Sequence, residues 1–181
     1  SPLLSGLVGS EMCIRDSPSI DGTTFNLDSI KGKKAMISFY RYSSCPFCHL
    51  RMNEIINKTN EFGNNFVPIA IFDCDFDDLV KNSEKHDGNM TILCDDDRVY
   101  FDRFEVQNSF FRFLLGITIR VDRFLRAIAK GYNPASNMSG AFLGLPADIL
   151  IDENGLVEKA LYGAHTANHI PMQEVIEFSN S

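Results

Sequence analysis

The chain lacks the features that mark several common classes of protein. No stretch of its 181 residues approaches the roughly 18 uninterrupted apolar residues that a membrane span needs. Its 17 basic residues are outnumbered by 24 acidic ones, and the net charge of -7 argues against broad nucleic-acid binding. Its five cysteines stand at irregular spacings, unlike the framework of a secreted disulfide-rich domain. Because 44% of the residues are apolar, the chain can bury a full core, and we expect one domain over residues 18–181.

One pair of cysteines is closely spaced. Cys45 and Cys48 follow an apolar run from Ala35 to Tyr40 and open a stretch of helical character that starts at Phe47. A strand that leads into Cys-x-x-Cys at the start of a helix is typical of redox enzymes. The unpaired N–H groups and positive dipole end of the helix favour the Cys45 thiolate, which is the nucleophile. Cys48 faces the same side of the helix and can close a disulfide onto Cys45.

Two other interpretations of this pair remain open. In a zinc site, His49, Cys74 or Cys94 would complete the coordination, although the sequence has no second closely spaced pair. Alternatively, the two cysteines are inert core residues. The strand-to-helix context favours the redox site, and Arg41 would add positive charge near it. One such dithiol suits a reducing compartment, so we expect a cytoplasmic protein.

Two ordered motifs carry a family resemblance. The first is Phe39-Tyr40-Arg41, followed after three residues by Cys45-Pro46-Phe47-Cys48; the second runs from Leu145 to Asp152, with Asn154-Gly155 and Tyr162-Gly163 after it. Together they resemble the peroxiredoxin-like branch of the AhpC/TSA (alkyl hydroperoxide reductase/thiol-specific antioxidant) family over roughly Ile20 to Phe178. The resemblance implies an α/β, thioredoxin-like fold, in which helices flank a central mixed β-sheet.

The resemblance also implies an activity and a set of site residues. It implies a thiol oxidoreductase that reduces peroxides or exchanges disulfides without a bound cofactor or metal. A thioredoxin or glutathione-type thiol would return its cysteine pair to the reduced form. The implied catalytic residues are Cys45 and Cys48, and the implied substrate-positioning residues are Arg41, Pro46, Leu145 and Pro146. The bond between Leu145 and Pro146 would be cis, so that the backbone of this loop faces Cys45 and pairs with substrate. A trans turn proline is the alternative.

The sequence departs from the family pattern at three places. Tyr42 and Ser38 stand where relatives carry a threonine or serine and a proline. Pro146 occupies the region of their peroxide-polarising arginine. The chain also contains no tryptophan, so the tryptophan that precedes the cysteine pair in thioredoxins is missing. These departures favour disulfide exchange over peroxide reduction.

The remaining patterns predict further elements. Strands are expected at 23–27, 35–40, 66–72, 91–94, 149–151 and 156–162, and helices at 47–62, 79–86 and from Pro171 to near Phe178. We expect His165 and His169, just before the last helix, to be surface or capping residues. An accessory proton-transfer role for His169 is the alternative. Cys74 and Cys94 are expected to be structural.

Residues 109–130 predict an inserted amphipathic helix. An apolar stripe recurs at helical spacing beside a basic face. The stripe comprises Phe110, Phe113, Leu114, Ile117, Val121, Phe124, Leu125 and Ile128, and the basic face comprises Arg112, Arg120, Arg123, Arg126 and Lys130. We expect this helix to pack on the domain or on a second subunit of a homodimer. The alternatives are peripheral contact with an anionic membrane, or a redox-inactive docking module that uses this face.

Residues 1–17 do not match the rest of the chain. They resemble the translated sequencing-adapter read-through found at the ends of metagenomic gene models. We therefore expect a non-native or disordered segment, which includes Cys13. A genuine N-terminal strand is the alternative.

Overall fold

The computed structural model describes residues 17–20, 22–83, 90–106, 125–126, 128–129 and 144–181. The strands are β1 (Ser17–Pro18), β2 (Thr24–Phe25), β3 (Lys34–Tyr40), β4 (Phe66–Phe72), β5 (Thr91–Cys94), β6 (Ala147–Ile151) and β7 (Val157–Tyr162). The α-helices that the structure bounds are α1 (Pro46–Asn57), α2 (Phe76–Ser83), α3 (Val99–Arg103) and α4 (Met172–Asn180), and short 3-10 turns lie at Leu27–Ile30 and Thr59–Glu61.

Five strands form one mixed sheet in the order β5-β4-β3-β6-β7. Strands β3, β4 and β5 run parallel, whereas β6 pairs antiparallel with both β3 and β7. Parallel neighbours need a crossover connection, which α1 supplies between β3 and β4 and α2 supplies between β4 and β5. The predicted α/β architecture with a central mixed sheet is therefore confirmed.

Strand β3 is the middle of this sheet and is buried along its whole length. Side chains of a strand alternate between its two faces. Ile37 and Phe39 therefore join the core on one face, where the Phe39 ring lies 5.2 Å from those of Phe101 and Phe104. Met36 belongs to a core cluster on the opposite face, together with residues of α1 and α4. Burial on both faces explains why this stretch of sequence is almost entirely apolar.

Two predicted elements are shorter than expected. Helix α1 ends at Asn57 instead of continuing to residue 62, because the Thr59 hydroxyl donates to the Ile56 carbonyl oxygen at 2.7 Å and the chain tightens into a 3-10 turn. The strand expected over 23–27 is confined to β2.

Gly63 follows the 3-10 turn at a close approach, since a Cβ there would overlap the Ser179 carbonyl oxygen. This approach lets the end of α4 pack directly against the turn after α1.

Two predictions fall mostly outside the described residues. Of residues 1–17, only Ser17 is described, and it pairs with Phe25 in β1 and β2. Of the predicted helix 109–130, residues 125–126 and 128–129 are described and helical, and the side chains of Leu125 and Ile128 are exposed. No helix in the described part of the chain is both long and apolar enough to cross a membrane.

Candidate redox site

The cysteine pair lies where β3 gives way to α1. After Tyr40 the chain turns through residues 41–45, and Cys45 caps the N-terminus of α1 by accepting the Cys48 N–H at 3.4 Å. Pro46 occupies the first helical turn, where its missing N–H leaves no unpaired donor. The structure pairs Cys45 with Cys48 as a disulfide, and their Cα atoms are 5.3 Å apart, a usual separation for such a bond. Strand, turn and helix thus bring the two sulfur atoms together.

The pair is embedded in apolar side chains. Cys45 is 0% exposed and Cys48 is 3% exposed. Tyr42, Phe47 and Ala167 belong to the same core cluster as the two cysteines. Both cysteines of the oxidised pair are therefore almost completely buried.

Arg41 contacts the first cysteine directly. Its Nη2 lies 2.9 Å from the Cys45 sulfur, and its guanidinium stacks 5.5 Å from the centre of the Tyr42 ring. Burial lowers the pKa of Arg41 to about 10, so the group remains cationic at neutral pH. A cation at this distance favours the thiolate form of Cys45 over the thiol. The sequence predicts positive charge near the cysteine pair, and in the structure the Arg41 guanidinium contacts the Cys45 sulfur.

The turn between β3 and α1 is fixed by side chains from two helices. The His49 Nε2 lies 2.7 Å from the Ser43 carbonyl oxygen, and the Asn82 amide donates to the Ser43 hydroxyl at 3.1 Å. His49 is thus engaged with the backbone of the turn. Within the described ranges, no three His, Cys, Asp or Glu side chains are grouped as a metal site would require.

The loop around Pro146 differs from the expected one. The peptide bond between Leu145 and Pro146 is trans, which is the alternative that the sequence left open. The Pro146 carbonyl accepts the Gly163 N–H at 2.8 Å, and proline has no N–H to offer a substrate. A Cβ at Gly163 would lie 2.9 Å from the Pro146 carbonyl oxygen, which explains the glycine. Leu145 is buried. The Pro146 carbonyl oxygen therefore already has one hydrogen-bond donor within the protein.

A buried polar network, which the sequence analysis missed, lies on the α1 face of the sheet. At its centre is Asp148 of β6, which accepts the Ser38 hydroxyl at 2.8 Å and the Ile170 N–H at 2.9 Å. The His169 Nδ1 lies 3.1 Å from the same carboxylate. Arg51 of α1 approaches it to 3.8 Å and donates to the Ile170 carbonyl at 2.7 Å. The only sequence signal for this network is one carboxylate inside the apolar run 145–151.

The position of His169 corrects its predicted surface role. Its side chain is only 6% exposed and is paired with a carboxylate that is fully buried. The sequence could not indicate this, because the two residues come together only when the segment before α4 packs on β6. His165, in contrast, accepts the Ala167 N–H at 3.3 Å and is not part of the network.

The network sets the ionisation of Asp148. Burial raises the pKa of Asp148, but His169, Arg51 and the N–H of Ile170 outweigh burial and hold the net pKa below its ordinary value. The ionised form is thus favoured by folding. Its contribution to stability is complete above the unfolded-state pKa of about 3.9 and is lost as pH falls through the lower folded-state pKa.

This linkage predicts how acid affects the protein. We expect the advantage in unfolding free energy of the wild type over Asp148→Asn to be largest near neutral pH and to shrink below about pH 4, because acid neutralises only the carboxylate. Urea denaturation of both proteins at a series of pH values measures this difference. Burial raises the pKa values of Asp73 and Asp95, so their contributions to stability change with pH in the opposite direction. Those contributions are the same in both proteins and cancel in the difference. An advantage that stays constant or grows in acid would contradict the assignment.

A cleft of about 260 Å³ opens beside the network. Its walls include Phe47, Arg51 and Glu54 of α1, together with Ala167, His169 and Arg126. Phe47 and Ala167 also belong to the core cluster that contains the cysteine pair. The cleft therefore shares two wall residues with that cluster, and neither Cys45 nor Cys48 lines it.

The other two described cysteines have a different environment. The Cys94 sulfur lies 2.8 Å from the Cys74 carbonyl oxygen and donates to it. Burial raises the pKa of Cys94 to about 11 and raises the pKa of Cys74 further. Both remain thiols at neutral pH, which fits the structural role predicted for them.

Comparison with known proteins supports both the family and the fold. The profile of the AhpC/TSA family matches residues 10–160. Among solved structures, the peroxidoxin BcpB from Mycobacterium tuberculosis is similar at a TM-score of 0.65 with 12% identity, covering 93% of each chain. A secreted disulfide oxidoreductase from the same organism, homologous to E. coli DsbE, gives 0.54 with 17% identity over 91% of this chain and 93% of that one.

A third structure extends the comparison. The Xanthomonas campestris bacterioferritin comigratory protein, studied for alkyl peroxide reduction, gives a TM-score of 0.55 with 14% identity, covering 81% of this chain and 79% of that one. No curated protein matches the sequence. At these identities the structures show the fold alone, and that fold is the thioredoxin-like one predicted from the sequence.

Proposed function

Because the chain belongs to the AhpC/TSA family and its fold joins Cys45 and Cys48 at the start of a helix, we propose that the protein is a thiol-dependent oxidoreductase. The observation that carries this proposal is the contact of 2.9 Å between the Arg41 guanidinium and the Cys45 sulfur. Together with the helix N-terminus, this contact favours the thiolate that must attack. Cys45 is the nucleophile and Cys48 is the resolving cysteine.

The favoured reaction is exchange with a disulfide substrate. The Cys45 thiolate attacks one sulfur of the substrate, forms a mixed disulfide and releases the other sulfur as a thiolate. Cys48 then attacks Cys45, releases the reduced substrate and leaves the Cys45–Cys48 disulfide. Two observations support exchange over peroxide reduction. Pro146 occupies the region in which the family resemblance places a peroxide-polarising arginine, and the buried Tyr42 stands at the position of the family's threonine or serine.

Peroxide reduction uses the same two cysteines. The Cys45 thiolate attacks the peroxide, whose far oxygen leaves as an alcohol or water after taking up a proton. The resulting sulfenic acid condenses with the Cys48 thiol, and water leaves as the disulfide forms. In either reaction an external thiol, of thioredoxin or glutathione type, supplies the two electrons that restore the dithiol. Neither route requires a bound cofactor.

Stopped-flow kinetics of the reduced protein separates the two substrates. We expect the reduced protein to react slowly with hydrogen peroxide and rapidly with a disulfide substrate. Both reactions should require Cys45. Mass spectrometry should show a Cys45–Cys48 disulfide in the wild type and a trapped substrate adduct on Cys45 in Cys48→Ser. Cys74→Ser is the matched control, since it removes a buried thiol that is not part of the pair. A rapid reaction with peroxide would instead make peroxide the favoured substrate. Reaction with neither, or a reaction retained by Cys45→Ser, would refute the proposal.

A further inference from the structure

Tyr42 contacts Arg41 and Cys45 in two different ways. The central carbon of the Arg41 guanidinium lies over the face of the Tyr42 ring, 5.5 Å from its centre, which is within the usual range for a cation–π contact. The Tyr42 carbonyl oxygen accepts the Cys45 N–H at 3.1 Å and closes a turn of four residues. One residue thus contacts the cation with its ring and the nucleophile with its backbone.

The contact between Arg41 and Tyr42 is buried. Both side chains are buried in the protein, as Cys45 is. Burial lowers the pKa of Arg41, and Tyr42 opposes this effect. Burial also raises the pKa of Tyr42, so the ring is a neutral phenol near neutral pH and attracts the cation through its face. Because a cation–π contact is stronger where water is excluded, we expect this one to hold the guanidinium firmly.

The backbone of the turn is fixed by other contacts. His49 of α1 and Asn82 of α2 both contact Ser43, the residue after Tyr42. The His49 N–H also donates to the Cys45 carbonyl oxygen at 3.1 Å. An arginine side chain has several rotatable bonds, so a fixed backbone alone does not determine where its guanidinium lies. The Tyr42 ring supplies the flat surface on which the planar guanidinium stacks.

We propose that Tyr42 is a positioning residue that holds the Arg41 guanidinium against the Cys45 sulfur and thereby promotes the thiolate. The inference rests on the proposed function, in which the Cys45 thiolate attacks the substrate. Without the ring, the guanidinium would occupy other rotamers as well, and its attraction for the thiolate would fall with the distance between them. Tyr42 therefore acts through Arg41 rather than on the sulfur itself.

The other titratable side chains in the described core cluster around Cys45 do not supply a positive charge. They are Tyr40, Cys48, Cys74 and Cys94. Burial raises the pKa values of Tyr40, Cys74 and Cys94, so these three side chains are neutral near neutral pH. His49 faces the turn from α1, and its Nε2 is engaged with the Ser43 carbonyl oxygen. The effect of Tyr42 on Cys45 is therefore expected to depend on Arg41, whose Nη2 contacts the sulfur.

The test weakens the cation–π contact without changing the size of the ring. In a Cys48→Ser background, Tyr42 is replaced by phenylalanine and by phenylalanines that carry an increasing number of fluorine atoms. Fluorine withdraws electrons from the face of the ring and so reduces its attraction for a cation. The ultraviolet absorbance of the thiolate, followed against pH, measures the ionisation of Cys45. The same titration of a Cys45→Ser, Cys48→Ser protein gives the background to be subtracted.

We expect the ionisation of Cys45 to follow the strength of the cation–π contact. Tyr42→Phe keeps the ring and should preserve the ionisation of Cys45. From phenylalanine to the most fluorinated ring, the ratio of thiolate to thiol at a given pH should fall about threefold. Tyr42→Leu should shift the titration in the same direction. Tyr100→Leu is the matched control, since it removes an equally buried tyrosine ring from a different core cluster and should leave the titration of Cys45 unchanged.

An Arg41→Met background decides whether the effect passes through Arg41. Without the cation, the fluorinated series should no longer change the ionisation of Cys45, because the two residues act as one unit. Equal ionisation across the series with Arg41 present, or an effect of the same size in Arg41→Met, would overturn the role of Tyr42. The fluorinated rings preserve packing, so the decision stands even if Tyr42→Leu does not fold.

The outcomes also distinguish this inference from the function on which it rests. The titration uses no substrate, so it reports on Tyr42 whether or not the protein turns over a disulfide or a peroxide. A wild type whose cysteine pair does not cycle in the substrate assay would refute the proposed function. A fluorinated series without effect would refute only the role of Tyr42.

Discussion

Arg41→Met is expected to raise the pKa of Cys45, because it removes the cation that contacts the Cys45 sulfur. An opposite charge within contact distance shifts an ionisable group by about one to three units, and Arg41 touches the Cys45 sulfur at 2.9 Å inside the protein. Methionine has a similar length and no polar group, so it removes the charge without leaving a buried donor unpaired.

The effect on rate should be smaller than the effect on pKa. At neutral pH the fraction of thiolate falls steeply, but a more basic thiolate is also a better nucleophile, with a Brønsted coefficient of about 0.4–0.5. We therefore expect roughly a fivefold to tenfold slower attack at pH 7 and a larger loss at lower pH. The pH dependence of alkylation in a Cys48→Ser background isolates Cys45 and measures its pKa. Arg103→Met, which removes an exposed charge, is the control, and an unchanged Cys45 pKa in Arg41→Met would contradict the assignment.

Asp148→Ala is expected to lower the unfolding free energy by about 3–5 kcal/mol. The carboxylate is fully buried and is the acidic group in direct contact with His169, while Arg51 approaches it to 3.8 Å and also pairs with Glu54 at 2.9 Å. Removing one member of a buried ion pair leaves the partner charged and desolvated, which costs more than the pair contributes. The Ser38 hydroxyl and the Ile170 N–H lose their acceptor as well.

Two further variants separate charge from packing in this network. Adding Arg51→Met to Asp148→Ala should restore part of the loss, because the second change removes a buried cation whose remaining carboxylate partner, Glu54, is nearly half exposed. Asp102→Ala, at a side chain that is 76% exposed, should cost no more than about 1 kcal/mol. Chemical denaturation of all four proteins measures these differences. A loss below about 1 kcal/mol for Asp148→Ala would show that the network is solvated rather than buried.

Local sequence patterns predict most of the secondary-structure elements of the fold. The apolar runs at β3, β4 and β5, the cysteine pair at the start of α1 and the hairpin of β6 and β7 are each encoded by neighbouring residues, and each was predicted within a few positions. The ends of elements were less predictable. Helix α1 stops early because of a hydroxyl contact at Thr59, and β2 has only two residues.

Contacts between distant residues explain what the sequence did not reveal. Ser38 and Asp148 are 110 positions apart and meet only because β6 pairs with β3 in one register. His169 looked like a loop residue, since nothing near it in the sequence indicates a carboxylate partner. Its burial, the trans bond at Pro146 and the cleft beside Phe47 all depend on how separate segments pack.

The order of these segments along the chain has a consequence during synthesis. Strand β3, helix α1 and strand β4 leave the ribosome first and already contain the whole cysteine pair, whereas Asp148 follows Cys48 by 100 residues and His169 comes later still. Strand β6 must then pair with β3 across this long separation, which makes its docking late. A nascent chain can therefore close the Cys45–Cys48 disulfide before the buried network around Asp148 exists.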